Sequence, residues 1–443
     1  MNSYFFSPIP GRANPVAVHG EGIYIYDDLG NQYIDGCSGA MTVNLGHGNK
    51  EIETCIKEQL DKLTFTYRSQ FTNKPLEELC QKIAHMAPDN LEMVSLANSG
   101  SEAAELAMKL ACTYWNANGK PEKRRIISRW SSYHGSTIGA LSMTGNASRR
   151  REYSSYLSDF PILELPLCHR CPYEKEYSSC NLFCANYLQK VIDRFGADTV
   201  SAVICEPITG ASGAGITPPD DYFPTISKIC KKNNILLIMD EVITGFGRTG
   251  RNFASNHWNI NPDIIVFGKG VSSGFGPLSG IIADKEIYNS LAKNNGEFST
   301  GHTYSGNPLS AAAAGGVLDY IKEHGIINEV AKKSIYFKNK LIDLMNGCSM
   351  IDDIRGKGLL WGVELAKDKK SKECFDPKEK MTARLVDICF MNGLIVYPSA
   401  GFINGLQGDS IMLSPPLIIT EKEIDYLFEL LEKSIINLEK QVF

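Results

Sequence analysis

At 443 residues the chain is longer than one small core needs, and about 150 residues per domain implies two or three units. A composition of 43% hydrophobic and 21% charged residues is ordinary for a globular protein, and a net charge of −5 carries no nucleic-acid signature. No apolar run reaches the roughly 20 residues that span a bilayer, and residues 1–8 lack the basic-then-apolar pattern of a signal peptide. In chain order, Gly22 to Asp35 alternates apolar and polar residues around Asp28-Leu29-Gly30-Asn31, which reads as a hairpin. Glu51 to Leu63 has helical periodicity. Strand-like runs follow at Met93–Ala97, Arg125–Ser128, Val200–Cys205, Ile235–Met239, Asp263–Phe267 and Leu278–Ala283, with helical stretches at Ser101–Asn116 and Tyr222–Asn233 between them. That alternation predicts an α/β fold with a large, mostly parallel sheet covered by helices. Long charged helices at Val330–Met345 and Glu421–Lys440 enclose further strands at Leu359–Leu365 and Leu394–Tyr397. The expected organisation is a large domain over 61–325 and a smaller α+β domain over 326–443, to which residues 1–60 contribute.

The chemistry is expected where the strands end. Lys269 closes an apolar run in Gly268-Lys269-Gly270, and Asp240 closes another one crossover earlier, so amine and acid reach the same end of a parallel sheet. Alone, Gly-Lys-Gly also fits a solvated turn. A strand-end lysine suits a Schiff base, because partial burial frees its neutral amine. An aspartate beside it suits the ring nitrogen of pyridoxal phosphate, which draws electrons only when protonated. Val242 is placed to face the ring plane. Ser99-Gly100-Ser101 follows a strand and opens a helix, so its amides and hydroxyls can hold phosphate or, equally, merely cap the helix. Tyr133 can stack on a planar ring with His134 beside it, or be a core aromatic. Glu206 ends a buried strand and needs a partner there, either the aspartate or the cofactor's phenolic edge, which would make it a catalytic residue, or it equally belongs to a surface turn. Thr303, ahead of the alanine-rich helix Ser310–Ala314, can donate to phosphate or simply belong to a turn.

The order of these motifs resembles the class III aminotransferases, the ω-amino-acid and amine transaminase group of the pyridoxal-phosphate-dependent fold type I enzymes. The likeness also takes in Asp27–Asp35, Asn98–Glu102, Asp240–Gly250, His302–Gly306, Arg355-Gly356-Lys357-Gly358-Leu359 and Ser414–Leu417. It implies that Lys269 carries pyridoxal phosphate, that Asp240 pairs with its ring nitrogen and that Tyr133 stacks on its ring. It further implies that the Ser99–Ser101 turn holds the phosphate, helped by Thr303 from a second subunit, in a homodimer with shared sites. The expected reaction moves an amino group from an ω-amino acid or amine to a small oxo acid such as pyruvate. The alternative on the same fold is an amino-acid racemase or a dialkylglycine-type decarboxylase.

Two departures stand out. Relatives carry an arginine just before the Pro-Pro element to hold the acceptor's carboxylate, yet 397–413 contains none. Arg68 is the expected substitute, and Met41, where amine transaminases carry a bulky tryptophan, is expected to give an adaptable pocket. The second departure is Cys168, Cys171, Cys180 and Cys184 around His169, which can bind a structural zinc, form disulfides or stay free. The nine other cysteines lie mostly in apolar segments, as buried thiols do in a reducing cytoplasm.

Overall fold

The computed structural model describes residues 4–443 apart from 8, 12 and 295; part of the stretch read for a signal peptide, residues 1–3 and 8, lies outside the described residues. The N-terminal strands β1 (Ala17–Glu21), β2 (Tyr24–Asp27) and β3 (Gln32–Asp35) form an antiparallel meander. The predicted hairpin joins β2 to β3. Asp27 Oδ1 accepts from the amides of Leu29 and Asn31 at 3.0 and 2.8 Å, and Gly30 takes the left-handed φ of 82° that the turn requires.

The large sheet contains β4 (Leu91–Ala97), β5 (Arg125–Arg129), β6 (Ile162–Leu163), β7 (Val200–Cys205), β8 (Leu236–Asp240), β9 (Ile264–Phe267) and β10 (Ser279–Asp284) in the order β4-β10-β9-β8-β7-β5-β6. Only β10 runs against its neighbours, so β4, β5, β7, β8 and β9 all end on one side. The apolar runs follow from burial on both faces. Ile126, Ile204, Ile238, Val266 and Ile281 pack against Ala103, Ala107 and Leu110 of the helix Gly100–Ala117. Ile127, Val203, Leu237, Ile265 and Ile282, one residue out of step, join the main core on the other face. One expectation fails locally. The connection from β8 to β9 contains no α-helix; a glycine-rich loop and one short turn, Ala254–Trp258, make the crossover. Glu241 explains this: its carboxylate accepts from the amides of Ala254 and Ser255, both at 2.7 Å, and from the Thr244 hydroxyl at 2.7 Å, which folds the loop back on itself.

The C-terminal part begins with the helix Ile326–Gly347, followed by β11 (Ile351–Lys357) and β12 (Leu360–Leu365). After the helix Met381–Met391 come β13 (Leu394–Ile395), β14 (Tyr397–Ile403) and β15 (Gln407–Leu413), then the last helix, Glu421–Val442. Strands β11-β12-β15-β14 form an antiparallel sheet, whereas β13 crosses to pair in parallel with β3. The cysteine-rich segment is fastened to this part by ion pairs, from His169 to Asp352 at 2.8 Å and from Arg170 to Asp352 at 2.9 Å and Glu364 at 2.5 Å. Cys168, Cys171, Cys180 and Cys184 line one cavity of about 20 Å³, all four as free thiols. Among the described residues no three His, Cys, Asp or Glu side chains are set to hold a metal ion. No helix among them is long and apolar enough to cross a membrane.

Candidate active site

The five co-directed strands deliver one motif each to the same edge. Gly100 and Ser101 follow β4, Tyr133 and His134 follow β5, Glu206 follows β7, Asp240 ends β8 and Lys269 follows β9. Together with Gly135, Ile208, Val242 and Ile243 they line a cavity of about 180 Å³. Both glycines beside Lys269 answer to close approach. A Cβ on Gly268 would sit 2.5 Å from Ser279 Oγ, and one on Gly270 would sit 2.3 Å from the Asn44 side-chain amide. Lys269 itself has a left-handed φ of 45°, a conformation that costs an ordinary residue of order 1–3 kcal/mol and collects at functional sites. Its Nζ donates to the Ala40 carbonyl at 2.8 Å.

Burial lowers the Lys269 amine to about 8, although the charges of Asp240 and Glu206 pull it upward; Arg248 and Arg149 push it further down. The neutral, nucleophilic form therefore becomes abundant above about pH 8 instead of near the ordinary value of 10.5. Acylation of the cofactor-free protein by an amine reagent, followed by peptide mapping, should show Lys269 labelling with a midpoint near pH 8. A midpoint with the bulk of the surface lysines would remove the burial argument.

The acids are held in distinct ways. Asp240 Oδ2 lies 2.7 Å from His134 Nδ1, and Oδ1 accepts from the Val242 amide at 3.1 Å. Glu206 accepts from the amides of Tyr133 and Gly210 at 3.1 and 3.0 Å, and burial pushes its carboxyl up, with Asp240 adding to the rise. Glu206 thereby fixes the backbone that presents the Tyr133 ring. His134 Nε2 is buried without a partner among the described residues, an unspent polar atom in the cavity wall.

Ser99 acts as the N-cap of Gly100–Ala117, its hydroxyl accepting from the Glu102 amide at 3.3 Å, and Ser101 Oγ accepts from the Ser136 amide at 3.0 Å. The remaining expected residues lie elsewhere. Met41 is 1% exposed within the main core, and Thr303 is exposed on a turn. Arg68 donates to the Ser299 carbonyl at 3.3 Å and lines a separate open groove of about 800 Å³ with Leu76, Ser305 and Gly306. The Ala40 carbonyl and the cavity residue Ile208 have no motif to announce them, and Ile243 stands in the Asp240–Gly250 string without a role of its own. Arg149, whose guanidinium lies 4.7 Å from the centroid of the Tyr133 ring, was signalled only by standing in a run of three arginines.

A lysine with a lowered amine, an acid buttressed by histidine and a helix start, all at the ends of parallel strands, define a fold type I transferase site. The family model for class III aminotransferases matches residues 10–435, and the chain belongs to that family, whose members in general depend on pyridoxal phosphate. It is 39% identical to the uncharacterized aminotransferase YodT of Bacillus subtilis over 442 residues, covering 100% of this chain and 99% of that protein. It is 35% identical to the putrescine–pyruvate aminotransferase of Pseudomonas aeruginosa, with 93% and 88% covered. The leucine/methionine racemase of Thermococcus litoralis is also 35% identical, with 96% and 91% covered. Among solved structures, a transaminase from the marine bacterium Virgibacillus superposes with a TM-score of 0.93 at 32% identity, over 100% of this chain and 98% of that one.

Proposed function

We propose that this aminotransferase binds pyridoxal phosphate in the Lys269 cavity and moves amino groups from an ω-amino acid or primary amine to a small 2-oxo acid such as pyruvate. The observation that carries the reading is the Lys269 amine, lowered to about 8 beside the Asp240–His134 pair. The residues fit the cofactor. Gly100 keeps the helix start close to Val242, since a Cβ there would lie 3.2 Å from Val242 Cγ1. Gly100 and Ser101 offer the positive end of an 18-residue helix to a phosphate. When bound, pyridoxal phosphate supplies an aldehyde that takes up amines and a ring that draws electrons from the reacting carbon.

The chain does the rest. Asp240 would hold a proton at the ring nitrogen, and His134 Nδ1, 2.7 Å from its Oδ2, fixes that carboxylate. Tyr133 and Val242, both in the cavity wall, would bound the ring. Lys269 Nζ would hold the cofactor and, as a neutral amine, would take up the substrate's α-proton and give it back as general base and then acid. Its neutral form is the one able to accept that proton. The β14–β15 hairpin, 397–413, has no arginine, so a dicarboxylate acceptor lacks one of its two cation sites there. That favours pyruvate over 2-oxoglutarate, and the name of the putrescine–pyruvate relative agrees with it. A screen of putrescine and ω-amino acids against pyruvate, 2-oxoglutarate and aldehydes tests the assignment, with a clear preference for 2-oxoglutarate counting against it.

The racemase relative favours one second reading, an amino-acid racemase on the same Lys269; a dialkylglycine-type decarboxylase is the other variant of that chemistry. Racemisation without consumption of an oxo acid would select the racemase, and release of carbon dioxide the decarboxylase. A cytoplasmic location suits thirteen free cysteines.

The working unit we propose is a homodimer in which Thr303 reaches the partner's phosphate. Thr303 is exposed, and beside it Phe65 and Tyr304 meet edge to face at 5.8 Å while remaining 41% and 63% exposed. Sedimentation should give a dimer, and Thr303→Ala should weaken pyridoxal phosphate binding about tenfold, the loss of one hydrogen bond to a charged group. A fully active monomer would overturn the shared site.

A further inference from the structure

The arginine missing from the β14–β15 hairpin has a counterpart on a different segment. Residues Ala147–Arg150 form one helical turn capped by Asn146, which accepts from the Arg149 amide at 3.2 Å. Two contacts lock this turn. The Arg150 guanidinium donates to the carbonyls of Leu141, Ser142 and Thr144 at 2.9, 3.0 and 2.8 Å. Gly405, in the β14–β15 turn, lies against Ala147 so closely that a Cβ there would sit 2.6 Å from the alanine's own. With Arg150 spent as an anchor, Arg149 is left beside Tyr133, a residue of the cavity wall.

Its guanidinium lies 4.7 Å from the centroid of the Tyr133 ring. It is also near Tyr397, at the start of β14: burial pushes that phenol up, and the charge and hydrogen bond of Arg149 counter the rise. The positive charge is felt at Lys269. Among the described residues no ion pair is found for Arg149, and the residue is exposed. Other arginines near this edge are committed. Arg129 is fully buried and donates to the Glu206 carbonyl at 2.5 Å. Arg248, equally buried, donates to the Leu359 and Pro415 carbonyls at 3.1 and 2.5 Å, the Ser38 hydroxyl at 3.1 Å and Asn44 Oδ1 at 2.7 Å.

We infer that Arg149 is the carboxylate-binding residue of the substrate site, holding a 2-oxo acid or amino acid between the Tyr133 ring and the Tyr397 phenol. The inference rests on the proposed aminotransferase reading and deepens it. A carboxylate leaving water needs a paired cation, and a guanidinium offers it two parallel donors where an ammonium offers a point charge. The ring beneath orients the fork and strips water from one face of it. One such clamp serves a monocarboxylate; the second carboxylate of 2-oxoglutarate has no counterpart in it.

The test uses the holoenzyme with putrescine as a donor that carries no carboxylate. Arg149→Gln should raise KM for pyruvate by about tenfold or more, the scale of one charge-assisted pair. KM for a neutral aldehyde acceptor should change less than about twofold on the same scale, and Arg149→Lys should restore part of the pyruvate affinity. Propionate binding to the resting holoenzyme, measured by calorimetry, should weaken in parallel with the pyruvate effect. Equal rises for pyruvate and aldehyde would mean that Arg149 only props up Tyr133, and unchanged pyruvate KM with unchanged propionate binding would place the carboxylate elsewhere; either overturns the inference. If the wild-type protein transaminates no acceptor yet loses propionate binding in Arg149→Gln, the function reading fails while the anion site stands.

Discussion

Lys269→Ala should remove turnover, with a loss of about 10⁴-fold or more, because in the proposed reaction one amine both anchors the cofactor and moves the proton. The fold should survive. Alanine forfeits the 2.8 Å hydrogen bond to the Ala40 carbonyl, worth about 1 kcal/mol, and is also relieved of the cost of burying an amine whose charge the site resists. These terms oppose each other, and the glycine contacts at 268 and 270 that shape the turn are untouched. The helix start at Gly100 and Ser101, proposed to face the phosphate, also remains, so pyridoxal phosphate should still bind, though exchangeably. Borohydride reduction of the loaded wild-type protein should fix the cofactor on the peptide containing Lys269, and reduction of the variant should fix none. A label on another lysine, or turnover within tenfold of wild type, would remove Lys269 from its role.

The sequence was informative about this site because its geometry is set by strand ends. Strand runs are readable from buried apolar residues, and once β4, β5, β7, β8 and β9 share a direction, whatever follows each of them meets at one edge. Lys269, Asp240, Tyr133 and Gly100 were legible for that reason. What depends on side-chain direction was less so. Asp240 and Glu241 are adjacent in sequence, yet one faces the cavity and the other ties down the loop to β9. His134, read only as a neighbour of Tyr133, proves to hold Asp240 across 106 positions of sequence. Contacts made by loops had almost no local signal. The Ala40 carbonyl meets Lys269 from a kinked segment with left-handed φ at Ser38, Gly39 and Met41. Arg149 comes to stand over the Tyr133 ring because Arg150 and Gly405 pin its turn, which no periodicity encodes. The helix Lys74–Met86 and the β14–β15 hairpin likewise carry no chemical signal in the sequence. The helix carries Asn73 as its cap and proline at its start, signals that mark a helix without giving it a chemical role.

Asp240→Asn separates charge from shape at the same centre. The amide can still accept from the Val242 N–H through the oxygen that now lies at 3.1 Å, so the end of β8 should keep its form. The partner facing His134 Nδ1 at 2.7 Å changes from an acceptor to a group that can donate, and the negative charge is gone. A neutral side chain cannot hold the ring nitrogen's proton by charge, so transamination should slow by roughly 10³-fold, within the range for loss of a positioned acid–base group. The second consequence needs no cofactor. Asp240 raises the Lys269 amine against the dominant effect of burial, so removing its charge should let that amine fall below about 8. The labelling midpoint of Lys269 in the cofactor-free variant should therefore move to lower pH while turnover drops, opposite to what a loosened, more hydrated site would give. A single-turnover rate close to wild type together with an unmoved midpoint would show that Asp240 acts neither on the ring nitrogen nor on the lysine.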